Sequence, residues 1–270
     1  MTHLPQHSTA QHALSDATVF ARRFNADVIL ARVNGPDEEH GNDLTALNAK
    51  RKRDILDLEA LRSNLSSIGI RSRGIVRNGI VGDTLFNICC EVNADLLLLG
   101  AYGYSLKDRR TLGSTAEYLL RALPCPTLTY GPEVKSNLDD PNCGATALIP
   151  VNLPCDFSHL EQAVKIAKLF SVGLEILHVS DDQHPGLIRK IERHCEDIAI
   201  RLRSGGIVAQ WSIRSGQPET QIISRSIEIG SPFILMPLHW DQRKVSMTLD
   251  CIAAHVIRCA TVPVMTYKAS

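Results

Sequence analysis

The chain has 270 residues, of which 44% are hydrophobic and 21% charged, a globular make-up rather than a disordered or fibrous one. Lys plus Arg and Asp plus Glu both number 29, so no net field draws nucleic acid or an anionic membrane, and neither is expected as a partner. The apolar runs fall short of the ~20 residues a membrane span needs, and the opening MTHLPQHSTA lacks a signal-peptide core, which predicts a cytoplasmic protein.

In chain order, Leu14, Ala17, Val19, Phe20, Ala21 and Phe24 mark a helix and Val28 to Val33 a strand. Ile55, Leu58, Leu61, Leu65 and Ile68 give a second helix that ends at Gly69. A strand at Ile75 and Val76 follows, then a helix from Asp83 to Val92 and a strand from Asp95 to Leu99. A helix from Ser114 to Leu123 and a strand from Thr127 to Tyr130 close the series. Strand and helix alternate throughout, which predicts a doubly wound parallel sheet covered on both faces.

The chain then repeats itself. AEYLLRALPCPTLTY, ending at Tyr130, lies over AAHVIRCATVPVMTY, ending at Tyr267, without a gap and at an offset of 137. HALSDATVFARRFNADVILARV, ending at Val33, lies over HLEQAVKIAKLFSVGLEILHV, ending at Val179, at an offset of 146. The second copy is therefore nine residues shorter, with the deletion between its second strand and its later helices. VKSNLDDPNCGA has turn residues and no periodicity and reads as a linker, after which TALIPVN opens the second copy as a buried strand. The expected domains are residues 1–134 and 146–270, joined by 135–145. The similar edges Thr127 to Tyr130 and Thr261 to Tyr267 predict that the two copies pair within one chain.

The eight cysteines include no C-x-x-C pair and no zinc-ligand spacing, so they read as free thiols and no metal site is expected. The adjacent Cys89 and Cys90 read as small helix residues, with a redox role as the alternative. His178, inside LEILHV, reads as a satisfied core or strand-end histidine.

Chemistry concentrates in GAYGYSLKDRRTLGST. Gly100 ends a strand, Gly103 follows, and Gly113 with Ser114 and Thr115 opens a helix. Glycine lets backbone N–H groups approach a ligand, and a helix start offers free N–H groups at the positive end of its dipole. Ser114 and Glu117 also spell a capping box that needs no ligand, and Arg109 and Arg110 are either clamps for phosphates or solvated loop charges. Three glycines between a buried strand and a helix favour a phosphate site at the carboxyl edge of the sheet.

Gly-x-x-Gly, nine residues and Gly-Ser, here Gly100, Gly103, Gly113 and Ser114, resembles the ATP-binding signature of universal stress protein domains. The D-L-L-L-L-G strand, the S-x-A-E-x-L-L-R helix and the closing C-P-x-L strand extend the likeness, and both halves share it. The resemblance implies tandem, open five-stranded parallel-sheet domains, with adenine and ribose near strands one and two and phosphates on the glycine loop. It also implies pairing through the last strands, and it leaves room for a homodimer. Val33 matches the position whose backbone meets adenine. With Gly100, Gly103, Gly113, Ser114 and Thr115 it makes up the expected binding set for ATP, with or without Mg.

Departures from the pattern decide which copy keeps the site. The first copy has room for only a truncated strand one, and the family's aspartate there falls on Pro5 or Gln6. In the second copy Gly100, Gly103, Gly113 and Ser114 become Pro237, Trp240, Asp250 and Cys251, and the strand-one aspartate is Asn152. Pro lacks an N–H, Trp is bulky, and Asp250 caps the helix where an anion would sit, so the second copy is expected to hold no ATP. Trp240 and His239 read as structural, with a different pocket as the alternative.

The leading expectation is a stress-response or regulatory protein that binds ATP or a related adenine nucleotide in its first domain and contacts an unnamed protein partner. The second domain is then structural. The alternatives are a nucleotide-independent scaffold and a weak ATPase. No catalytic residue is assigned, because Asp108 is the only carboxylate in the loop and phosphoryl transfer needs positioned metal ligands.

Overall fold

The computed structural model describes residues 8–35, 44–102, 112–122, 125–135, 138, 145–181, 184–238 and 251–268. The first half runs α1 (Ser8–Phe24), β1 (Val28–Asn34), α2 (Leu44–Ser67), β2 (Ser72–Asn78), α3 (Val81–Glu91), β3 (Leu97–Gly100), α4 (Ser114–Ala122) and β4 (Thr127–Tyr130). The second half runs β5 (Thr146–Pro150), a 3-10 turn, α5 (Glu161–Phe170), β6 (Gly173–Val179), α6 (Pro185–Ser204), β7 (Ala209–Arg214), α7 (Pro218–Glu228), β8 (Ile234–Leu238), α8 (Cys251–Cys259) and β9 (Val264–Lys268). Each helix and strand expected from Leu14 to Tyr130 is present. Helix α1 begins six residues before Leu14, its first turn being polar and carrying no apolar periodicity, and α2 begins eleven residues before Ile55.

The second half forms a five-strand parallel set in the order β9-β8-β5-β6-β7, with β5 at its centre. Ala147, Leu148 and Ile149 of β5 are fully buried, as a central strand covered on both faces must be.

The first half is wound the same way but lacks a central strand among the described residues. Its four strands divide into a two-stranded sheet, β1-β2, and a pair, β3-β4, which joins the second half's sheet. The five-stranded sheet expected for this copy is thus realised as two parallel pairs. Nothing described lies between β1 and β3 to bond to both. Pro5 and Gln6, where the truncated strand was expected to end, lie outside the described residues.

The two halves meet through their last strands. β4 and β9 are antiparallel, with Thr127 opposite Thr266, Leu128 opposite Met265 and Thr129 opposite Val264, making one seven-stranded sheet. The core is shared across this seam. Phe20, Leu128 and Tyr130 from the first half lie in the same buried cluster as Ile149, Phe170, Phe233 and Met265 from the second. Phe170 stands edge-on to Phe20 at 5.1 Å, Phe24 at 5.4 Å and Phe233 at 5.3 Å. Such aromatic contacts add to the area they bury. Two described residues after β4 also bond across the halves and back to α1: Lys135 N donates to Thr261 O at 2.9 Å and Leu138 N to Asp16 Oδ1 at 2.9 Å.

The repeat is visible in backbone detail. Gly69 and Gly206, 137 apart, have φ of +81° and +80°, and Asn25 and Ser171, 146 apart, both have φ of +51°. Left-handed residues end helices, so the two copies stop corresponding helices the same way. The nine extra residues of the first copy lie between β1 and β2, in the connection that includes the longer α2.

His178 is buried and its Nδ1 lies 3.0 Å from Val151 O, the role of a satisfied core histidine. Glu175, also on β6, is fully buried and is held by Arg225 Nε at 2.5 Å, Arg225 Nη2 at 3.0 Å, Gln210 Nε2 at 2.7 Å and Ser212 Oγ at 2.7 Å. Cys89, Cys90, Cys125, Cys155, Cys195 and Cys259 are free thiols. Among the described residues no group of three or more His, Cys, Asp or Glu could hold a metal, and no helix is long and apolar enough to cross a membrane.

Candidate functional site

Val33 lies near the carboxyl end of β1 and Gly100 at the carboxyl end of β3, strands that belong to different sheets among the described residues. Val33 is half-buried near the end of β1, with Asn34 buried behind it and Gly35 next. Gly100 ends β3 opposite Tyr130, and Ala101, fully buried, donates its N–H to Tyr130 O at 2.9 Å. Gly113 N donates to Ala101 O at 3.1 Å, which hangs the start of α4 on the end of β3.

Glu117 N accepts its place in the first turn by donating to Gly113 O at 2.9 Å. The N–H groups of Ser114, Thr115 and Ala116 come before any intrahelical acceptor, and the positive end of the α4 dipole is concentrated there. Ser114 is exposed and Thr115 half-exposed. The Glu117 carboxylate engages Arg121 at 2.7 Å, one turn along the helix. Gly103, Asp108, Arg109 and Arg110 lie outside the described residues.

A second helix start lies beside the end of β1. Gly79 N donates to Asn34 O at 3.0 Å, joining the end of β2 to the end of β1. Ile80 then stands at the N-cap of α3 without a side-chain cap and 67% exposed, where a polar residue is the rule. A Cβ on Gly82 would come within 2.8 Å of the Tyr118 ring, so glycine lets α3 and α4 approach. The Tyr118 hydroxyl is hydrogen-bonded to Asp83, which raises its pKa. The sequence reading missed this clamp. The repeat carries no signal for it, since Gly82, Asp83 and Tyr118 align with Glu219, Thr220 and His255 of the second copy.

The corresponding edge of the second half is built differently. Pro237 lies within β8 opposite Tyr267, and Asn152 is exposed beyond β5. Cys251 opens α8, while His239, Trp240 and Asp250 lie outside the described residues.

A cleft of about 190 Å³ between Ala21 to Ala26 and Gly69 to Arg71 lies at the opposite, amino end of β1 and β2. Arg71 there is committed to Asp27 at 2.6 Å and to Asn25 O at 3.0 Å, closing the end of α1. Helix carboxyl ends carry negative dipole charge, so this cleft is no phosphate site.

Residues 6–130 match a family model described as the Universal stress protein family. A universal stress protein of Synechocystis sp. is 34% identical over 95 residues, which cover 35% of this chain and 57% of that protein. The match thus spans little more than half of that relative's length. A universal stress protein from Archaeoglobus fulgidus has a similar crystal structure, with a TM-score of 0.76 at 19% identity, covering 100% of this chain and 94% of that one. A protein of unknown function from Pseudomonas aeruginosa has a TM-score of 0.59 at 18% identity, covering 93% and 95% of the two chains. At these identities the structures speak for the fold.

Proposed function

From the match of residues 6–130 to the universal stress protein family, we propose that the chain belongs to that family and that its first half binds ATP or a related adenine nucleotide and couples it to stress-response regulation. Val33 would meet the adenine through its backbone. Gly100, Gly103, Gly113, Ser114 and Thr115 would hold the phosphates, with or without Mg. Residues 146–270 form the partner half, bear no nucleotide, and join residues 1–134 through 135–145.

The observation that carries this reading is the hydrogen bond from Gly113 to Ala101 O. It fixes the first turn of α4 against the end of β3, at the carboxyl edge where open α/β sheets bind ligands. Pro237 in the second half removes an N–H at the position matching Gly100, which supports a single site.

Equilibrium dialysis with ATP at millimolar concentration tests it, with and without Mg. About one equivalent should bind. Gly113→Asp should abolish binding without harming the fold, because aspartate caps a helix well while its charge repels phosphate. No binding to the wild-type chain would instead favour a nucleotide-independent interaction protein, the reading to which the lost strand-one aspartate points.

A further inference from the structure

Helix α3 carries two adjacent cysteines, Cys89 and Cys90, in its last turn, and the chain that follows brings a third to them. Ala94 N donates to Cys89 O at 2.9 Å, which closes the helix, and Leu97 N donates to Pro126 O at 3.1 Å, which sets β3 beside the start of β4. Cys125 precedes that start and packs with Ala94 and Leu97 on the buried side chains of Cys89 and Leu119. At the offset of 137 the three cysteine positions become Ser226, Ile227 and Val262, so this thiol group belongs to the half that carries the glycine loop.

The three differ in access: Cys90 is exposed, Cys125 half-buried and Cys89 buried. Burial, then the charge of Cys125 and then that of Cys90, push the Cys89 thiol up to about 11, so it rests protonated and shielded from a dissolved oxidant. Burial raises Cys125 too, but hydrogen bonds from its own N–H and from that of Leu97 act in the opposite sense. Cys125 is thus the more accessible member of a sulfur pair that shares one apolar pocket.

We propose that Cys125 and Cys89 form a peroxide-sensitive pair that closes a disulfide within the first half. The Cys125 sulfur attacks one oxygen of hydrogen peroxide; the O–O bond breaks, a sulfenic acid forms, and the other oxygen leaves as water with the thiol proton. The Cys89 sulfur then attacks the sulfenic sulfur; the S–O bond breaks and water leaves with the Cys89 proton. Two thiols give up two electrons, and one peroxide becomes two waters. Access makes Cys125 the member oxidised first, and packing makes Cys89 its partner, because the new sulfenic acid faces a neighbouring sulfur in an apolar pocket. Cys90 meets the oxidant from solvent and is not needed for the bond. The ring so closed contains β3, the glycine loop and α4, yet its formation depends on the thiols alone and not on nucleotide.

The test is a non-reducing tryptic map of the full chain, treated with hydrogen peroxide while folded and then unfolded with an alkylating agent. Residues 78–107 should be joined to residues 122–135 by a link that dithiothreitol removes. Cys125→Ser and Cys89→Ala should each lose the link, and Cys90→Ser should keep it. Circular dichroism checks that Cys89→Ala is folded, and the Cys90→Ser map decides the pairing even if it is not, because Cys90 is exposed. A link that Cys90→Ser loses and Cys89→Ala keeps would overturn the pairing. Recovery of Cys89 and Cys125 as alkylated thiols from the wild type, or of Cys125 as a sulfinic acid without a link, would also overturn it.

Discussion

The hydroxyl of Tyr130 donates a 2.7 Å hydrogen bond to Oδ2 of Asp16, and both residues are fully buried. The bond ties α1 to β4, the strand that joins the two halves. Tyr267, the repeat counterpart of Tyr130, is also buried, but its hydroxyl has no partner among the described residues. Tyr130→Phe should therefore cost about 1–3 kcal/mol, while Tyr267→Phe should be neutral or slightly stabilising, because it deletes an unsatisfied group. Urea unfolding of the two variants checks this, and equal losses would contradict it.

Glu175 is a buried carboxylate whose charge is met by Arg225, Gln210 and Ser212. Arg225→Met strands that charge and should destabilise the protein by about 3–5 kcal/mol. Adding Glu175→Met should recover much of the loss, since two apolar residues replace the pair. Chemical denaturation of the single and double variants tests the coupling.

Glu228 is held by hydrogen bonds from Arg214 and then Arg225, which lower its pKa to about 2. A depressed carboxylate stabilises the fold above its unfolded pKa of ~4.3 and loses that contribution as pH falls toward 2. Melting temperature should thus drop through this window in the wild type and drop less in Glu228→Gln. Burial raises the thiols of Cys89 and Cys195 to about 11. Their contribution is complete below the unfolded value of ~8.5 and fades as pH rises toward 11. Cys195→Ala should flatten part of that alkaline limb.

Because Phe170 packs on Phe20, Phe24 and Phe233, the halves share a core and should unfold in a single calorimetric transition. Phe170→Ala should cost about 3–5 kcal/mol and broaden or split that transition. Two separate transitions in the wild type would refute the shared core.

Much of this architecture was legible because the chain states it twice. Arg77–Glu91 and Arg214–Glu228 are the same ion pair 137 residues apart, and the similar closing strands lie side by side. What escaped the sequence has no periodic signature. The inward turn of Asp54 and Asp57 onto Arg32 depends on a strand and helix meeting in space, as does the seating of Glu175 among residues from β7 and α7. The division of the first half's described strands between two sheets has no periodic signature either. At the site, glycine spacing located Gly100 and Gly113, but Tyr118, Asp83 and Ile80 became visible only once α3 and α4 lay side by side.

The most direct test of the nucleotide reading is amide hydrogen exchange with and without ATP, followed at the first turn of α4. Protection of Ser114, Thr115 and Ala116, with slowing near Val33 and no change at the start of α8, is the result this account predicts. Unchanged exchange at α4 under saturating ATP, or equal protection at Cys251 and Ile252, would contradict it.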